Sequence, residues 1–235
     1  MINDYLVKLT VAITHKFIED NLENCDNVKL GDCSTIINGY SYSGEELSEC
    51  SDTALVTIKN FDRNGGFKVD GFKPLKIKNK VKDSQYVQLY DILIACTDLT
   101  QRAEVIGNPE LILNTDGYQN LIMSMDLVKI EPNENIIGKY ALLSMLNAGD
   151  FKQYAIGCVN GTTVLHLDKK AIPKYELKIV RNKQKLSKFN KNIKSLYELR
   201  SKILSENTQL SKVKNYLLPK LLFGEIDVSE LELGS

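Results

Sequence analysis

The sequence holds two histidines, His15 and His166, and no tryptophan. Nothing in the chain places either histidine beside a nucleophile, so a hydrolytic triad finds no support. Glycine-rich phosphate loops of the P-loop or dinucleotide type are missing, which removes the usual cradle of nucleotide chemistry. Cys25, Cys33, Cys50, Cys96 and Cys158 form no CxxC pair and no zinc-ligand spacing; their odd number, without a signal peptide, predicts free thiols in a reducing cytoplasm. No apolar run is long enough to span a membrane. The opening "MINDYLVKLTVAITHKF" has no basic start, no continuous apolar stretch and no small-residue cleavage site. These absences predict a cytosolic protein that performs no chemistry itself and binds no metal.

What is present is ordinary in bulk and informative in order. With 43% hydrophobic and 26% charged residues over 235 positions, the chain can bury one large or two small cores. Residues 1–20 carry apolar positions at Tyr5, Leu6, Leu9, Ala12 and Phe17, the spacing of a short helix with one buried face. Residues 21–180 change character. Short apolar runs, "ALVTI" (54–58), "YDILIAC" (90–96), "LILN" (111–114) and "LIMSMDLVKI" (121–130), alternate with turn residues and predict strands. "RNGG" (63–66) and "VDGF" (69–72) read as tight turns, and "NPE" (108–110) as a further turn. "IIGKYALLSMLNAGDFKQYAI" (136–156) reads as helical. The segment is therefore mixed α+β, with too few helices to alternate as βαβ units.

From 181 to 224 the pattern becomes that of one long helix, followed by an acidic tail over 225–235. With Leu186 as a heptad a position, the d positions are Phe189, Leu196, Ile203, Leu210 and Leu217, all apolar. The a positions, Leu186, Ile193, Arg200, Asn207, Lys214 and Leu221, are mixed, and Asn207 is the kind of polar residue that fixes register between helices. The only proline in this stretch is Pro219. This predicts a coiled-coil-forming helix with a partner interface at Leu186, Phe189, Ile193, Leu196, Ile203, Asn207, Leu210, Leu217 and Leu221; a helix packed on its own domain is the competing reading. Formal net charge is zero, yet Lys183–Phe223 carries ten Lys and Arg against Glu198 and Glu206. The overall balance hides a cationic rod, suited either to solvent or to phosphates and acidic partners.

Taken in order, several stretches resemble one half of the specificity (S) subunit of type I restriction-modification enzymes. "VKLGDCSTIINGYSYS" (28–43) is similar to the opening of that family's target recognition domain. "YDILIACTDLTQRAEVIG" (90–107) resembles its Gly-Asp-Ile-Leu-Ile strand and following polar loop, with Tyr90 in place of the usual glycine. "YAIGCVNGTTVLHLDKKAIPKYELKIV" (154–180) looks like the approach to the conserved helix, although "LKIVRNKQ" departs from the family's proline-rich version. "LLPKLLFGEIDV" (217–228) is close to the ending Leu-Leu-Pro-Lys-Leu-Leu-x-Gly-Glu. The resemblance implies a target recognition domain (21–180) and a conserved spacer helix (181–224).

It also implies partners: double-stranded DNA, a methyltransferase (M) subunit, a restriction/translocase (R) subunit and, because no internal repeat supplies a second half, a second copy of this chain. S-adenosylmethionine, Mg and ATP would be bound by those partner subunits, with no cofactor in this chain. Base reading requires side chains that reach groove edges, such as Arg to guanine and Asn or Gln to adenine. The candidates in polar loops are Ser41, Tyr42, Arg63, Asn64, Lys68, Thr97, Thr100, Gln101, Arg102, Asn160, Thr162 and Thr163. Gln101 and Arg102 are favoured because a buried-looking strand precedes them. A protein-only coiled-coil adaptor, and a small enzyme whose site is assembled by the fold, are the readings of other classes.

Overall fold

Apolar and small residues at helical spacing open the chain, and in the computed structural model, which describes residues 2–225, they form helix α1 (Ile2–Glu19). Its buried face is Leu6, Thr10 and Thr14. Both threonine hydroxyls donate to the carbonyl four residues back, at 2.7 Å, so neither is left wanting against the core. A strand and a short turn of helix follow, β1 (Cys25–Lys29) and α2 (Leu30–Cys33), then β2 (Ser34–Asn38), β3 (Thr53–Val56), β4 (Lys73–Pro74), β5 (Tyr86–Val87), β6 (Ile92–Ala95), β7 (Thr97–Asp98), β8 (Pro109–Leu111), β9 (Asn120–Met123) and β10 (Leu127–Pro132). Helices α3 (Lys139–Ala148) and α4 (Phe151–Gly157) precede β11 (Val159–Asn160), β12 (Leu165–Leu167) and β13 (Glu176–Val180), and α5 (Lys183–Leu222) closes the order. The fold is mixed α+β with one long C-terminal helix, as the sequence predicts.

The strands form small sheets rather than one. β2, β10, β6 and β8 make an antiparallel sheet in that order, and β6, at its interior, is buried at every residue. A second sheet runs β4-β3-β9-β5, in which β3 and β9 pair in parallel, Thr53 opposite Asn120. β11, β12 and β7 form a third, and β1 pairs with β13 from Cys25↔Val180 to Lys29↔Glu176. That last pair ties the strand after α1 to the strand before α5. Helices α1, α3 and α5 consequently pack on one another, with Phe17 and Phe189 stacked at 4.0 Å between ring centroids.

Four local expectations are corrected. The 136–156 stretch is two helices, α3 and α4, broken at Gly149 and Asp150. The 121–130 run is two strands in different sheets, β9 and β10, turning at 124–126. "LILN" lies mostly beyond β8, which ends at Leu111. "NPE" is no turn but the start of β8, an edge strand, where proline's missing N–H breaks no ladder. The "RNGG" turn is as expected, with Gly65 and Gly66 at φ 87° and 115°. In "VDGF" the glycine serves close approach instead: a Cβ on Gly71 would strike the backbone of Lys59 and Asn60. The acidic residues Asp227, Glu230 and Glu232 lie outside the described residues.

Candidate nucleic-acid interface

The strand β7 ends in a carboxylate that builds the next loop. Asp98 is buried, and its oxygens accept from the Thr100 amide and hydroxyl (both 2.9 Å), the Val105 amide (2.8 Å) and the Ile106 amide (3.4 Å). Burial alone would raise its pKa; the amides of Val105 and Thr100 and the Thr100 hydroxyl outweigh that and hold the carboxyl below its ordinary range. The loop is therefore closed on a charged anchor and presents Leu99, Gln101 and Arg102 outward, Leu99 at 64% exposure. Lys152 steadies its far side by donating to the Glu104 carbonyl at 2.6 Å. Partial burial lowers the Lys152 pKa, against the opposing pull of Asp98 and Glu104.

Two polar stretches bond to this loop, and a third set of contacts leads to the strand before it. Gln101 donates through Nε2 to the Thr162 carbonyl at 2.6 Å, joining it to the exposed 160–163 turn that carries Asn160, Thr162 and Thr163. Arg63 reaches Glu104 at 3.4 Å across a groove of about 370 Å³ lined by Lys59, Phe61, Lys68, Leu99 and Thr100. Asn64 stands exposed beside Arg63. On the other flank Thr97 donates to Asp126 at 2.9 Å, and Ser41 approaches the Met125 sulfur at 3.6 Å. Tyr42 leans on the small cluster of Tyr40, Leu55, Leu75 and Ile122. Lys169 also binds the Met125 carbonyl, at 2.6 Å.

Placement sorts the candidates. Ser41, Arg63, Asn64, Gln101, Arg102, Asn160, Thr162 and Thr163 are exposed; Tyr42, Lys68 and Thr100 are half-buried. Thr97 is corrected: it lies in β7, 5% exposed, with its hydroxyl committed to Asp126, so it supports the loop rather than reading anything. Arg102 has no hydrogen-bond or ion-pair partner among the described residues, while Gln101 already spends one amide donor within the chain. Sequence reasoning missed Lys59, Leu99, Met125 and Lys169. Met125 was hidden inside an apparent strand, and Lys59 follows directly on the apolar run 54–58.

The 62–68 loop is fixed to the long helix. The Gly66 amide donates to the Glu110 carboxylate, whose other oxygen stands 4.0 Å from Arg200 of α5. The Arg200 guanidinium lies over the Tyr197 ring at 5.1 Å. Both charged side chains are almost fully buried, and Glu110 Oε2 and Arg200 Nε have no hydrogen-bond partner among the described residues. Burial pushes the Glu110 carboxyl upward; Arg200 and the Gly66 amide oppose it.

The seam of α5 divides at this point. Leu186, Phe189, Ile193 and Tyr197 are buried against the chain's own α1 and α3, each worth about 1.5–3 kcal/mol. For Leu186, Phe189 and Ile193 the expected partner interface is thus corrected to intrachain core. Leu196 and Ile203 are half-buried. Asn207, Leu210, Leu217 and Leu221 are exposed, and Leu199 and Val213 with them. The physical reason is that α5 runs past the body: every residue from Gln209 to Pro219 is exposed, so all faces of those turns, the apolar row included, lie open. A row that begins on the body therefore ends beyond it.

No protein-family model matches the chain, and no curated protein does. Solved structures do match. The type I restriction-modification S subunit from M. genitalium superposes with a TM-score of 0.60 at 15% identity, over 94% of this chain and 54% of that one. The HsdS subunit from Thermoanaerobacter tengcongensis gives 0.51 at 12% identity, over 96% and 54%. This chain spans about half the length of either structure, and among its described residues no helix is long and apolar enough to cross a membrane and no His, Cys, Asp and Glu cluster suits a metal. The chain is built on the fold of type I restriction-modification S subunits.

Proposed function

We propose that this chain is a DNA sequence-recognition subunit of a type I restriction-modification complex, itself non-catalytic, working as a homodimer on a bipartite target. The observation that carries this reading is the joining of the 99–105 loop to the 160–163 turn through Gln101 and to the 63–68 loop through Arg63, with Asp98 closing the loop itself. Rigid placement matters because a bidentate base contact tolerates little error. Arg102 and Gln101 stand where they would meet base edges. Lys59, Lys68 and Lys169 would contact phosphates, which position without specifying. Methyltransferase and restriction subunits would be delivered to the site and would bring S-adenosylmethionine, Mg and ATP. A protein-only adaptor explains the exposed end of α5 but leaves the joined loops without a role.

The test is substitution of Gln101 and Arg102 by Ala in the complex with its methyltransferase. Each bidentate pairing is worth about 1–3 kcal/mol of discrimination, so the methylated motif should relax at one position of each half-site. Assembly should be unaffected. A complex that never discriminates between DNA sequences would defeat the proposal.

A further inference from the structure

The groove between α1 and α5 is not accounted for by DNA reading. It holds about 420 Å³, with Ile13, Phe17 and Phe189 as its apolar floor and Lys16, Lys185 and Lys188 at its rim. Asp20 neutralises Lys16 at 2.7 Å, and Lys185 donates to Asn21 at 2.9 Å while keeping its charge. The rim is therefore net positive. At about 100° per residue, Lys185, Lys188 and Asn192 stand on the same side of α5 as the exposed Leu199, Leu210 and Leu217. Groove and exposed row form one continuous face.

We infer that the acidic segment after α5 of a second copy, Glu225, Asp227, Glu230 and Glu232, docks on this groove. The inference rests on the homodimer proposed above. If the exposed apolar row pairs with itself antiparallel about its middle, near Thr208, Leu221 of one copy lies by Leu196 of the other. The chain beyond Phe223 is then delivered to Asn192, Lys188 and Lys185 of that copy. Residues 224–235 contain those four carboxylates and no Lys or Arg, so the charge is complementary. A parallel pairing would set acid beside acid and leave two cationic rods in register. Phe223, 81% exposed, supplies an apolar residue to the groove's rim, and an isologous pair satisfies both grooves at once.

The experiment uses the full chain. One variant carries E225K, D227K, E230K and E232K; a second carries K185E and K188E; a third combines them. Sedimentation equilibrium at low salt should show dimer dissociation raised about tenfold in the first two and restored in the third. The differences should vanish near 1 M salt, where screening falls to about 3 Å. A photocrosslinking residue at Phe223 should mark the 13–21 peptide of the other copy. A dimer indifferent to both charge reversals, with crosslinks elsewhere, overturns the docking and leaves the homodimer standing. A chain that remains monomeric overturns both.

Discussion

Replacing Arg200 by Met isolates the physics of the buried pair. In the native chain the Glu110 carboxyl has two supports, the Gly66 amide and the Arg200 guanidinium 4.0 Å away. Met fills much of the arginine stem but brings no charge, so Glu110 is left as a buried carboxylate with one donor. Breaking one side of such a pair costs about 3–5 kcal/mol, a large share of the roughly 5–15 kcal/mol that holds a domain together. The sign of the pH dependence follows from the direction of the Glu110 shift. Its folded pKa lies above the ordinary value of 4.5, and without Arg200 it rises further. A carboxyl raised by folding binds its proton more tightly when folded, so its stabilising share is complete below the unfolded pKa and is lost as pH rises through the folded one. The deficit of R200M should therefore be small near pH 4.5 and full above the raised pKa. Urea melts of both proteins at pH 4.5 and pH 8 read this directly, and R200M combined with E110Q should recover most of the loss at pH 8. A deficit under about 1 kcal/mol at pH 8, with no dependence on pH, would refute the argument.

Other outcomes are equally specific. Tyr90 sits at φ 69°, where a side chain is strained by about 1–2 kcal/mol, while its ring meets Tyr140 edge-on at 6.1 Å. Y90A keeps the strain and loses the ring, so by thermal melting Y90G should be the more stable of the two, the reverse of the usual order. Glu46 accepts from the Tyr40 hydroxyl at 2.6 Å and from the amides of Ser43, Lys78 and Asn79, which lower its pKa from 4.5 to about 2. Its stabilising share is present above pH 4.5 and lost as pH falls toward 2; acid titration followed by NMR should show 40–48 loosening in that window, and E46Q should abolish the dependence. Leu210 and Leu217 are 66% and 37% exposed in the single chain, so L210K with L217K should leave the melting of the body unchanged yet abolish dimers in light scattering. Substituting the half-buried Leu196 and Ile203 would blur the two effects.

Much of the scaffold is legible because it is periodic. The helices α1 and α5 announce themselves by spacing, and the 63–66 turn by its glycines. The strands are recognisable as apolar runs, but their partners are not: β3 and β9 pair in parallel across an intervening β4, β5, β6, β7 and β8, and no local signal encodes that. Thr97 looks like a loop residue because threonine is polar, yet its place in β7, paired with His166, and its bond to Asp126 take it inward. Arg200 looks like a flaw in a heptad; only the fold brings Glu110, ninety residues earlier, to its side. The first half of α5 shows the same limit. A 3.5-residue repeat states that a face is apolar, and the point where the body ends decides which part of that face is covered and which is left exposed.

The central claim, that this chain selects a DNA sequence for a methyltransferase, is tested most directly by methylome sequencing of cells with and without it. The account predicts that one methylated motif disappears when the chain is deleted and returns when it is restored. Two identical recognition halves related by a two-fold axis require that motif to be two inverted half-sites around an unspecified spacer. A methylome unchanged by the deletion would contradict the claim, and an asymmetric bipartite motif would contradict the homodimer.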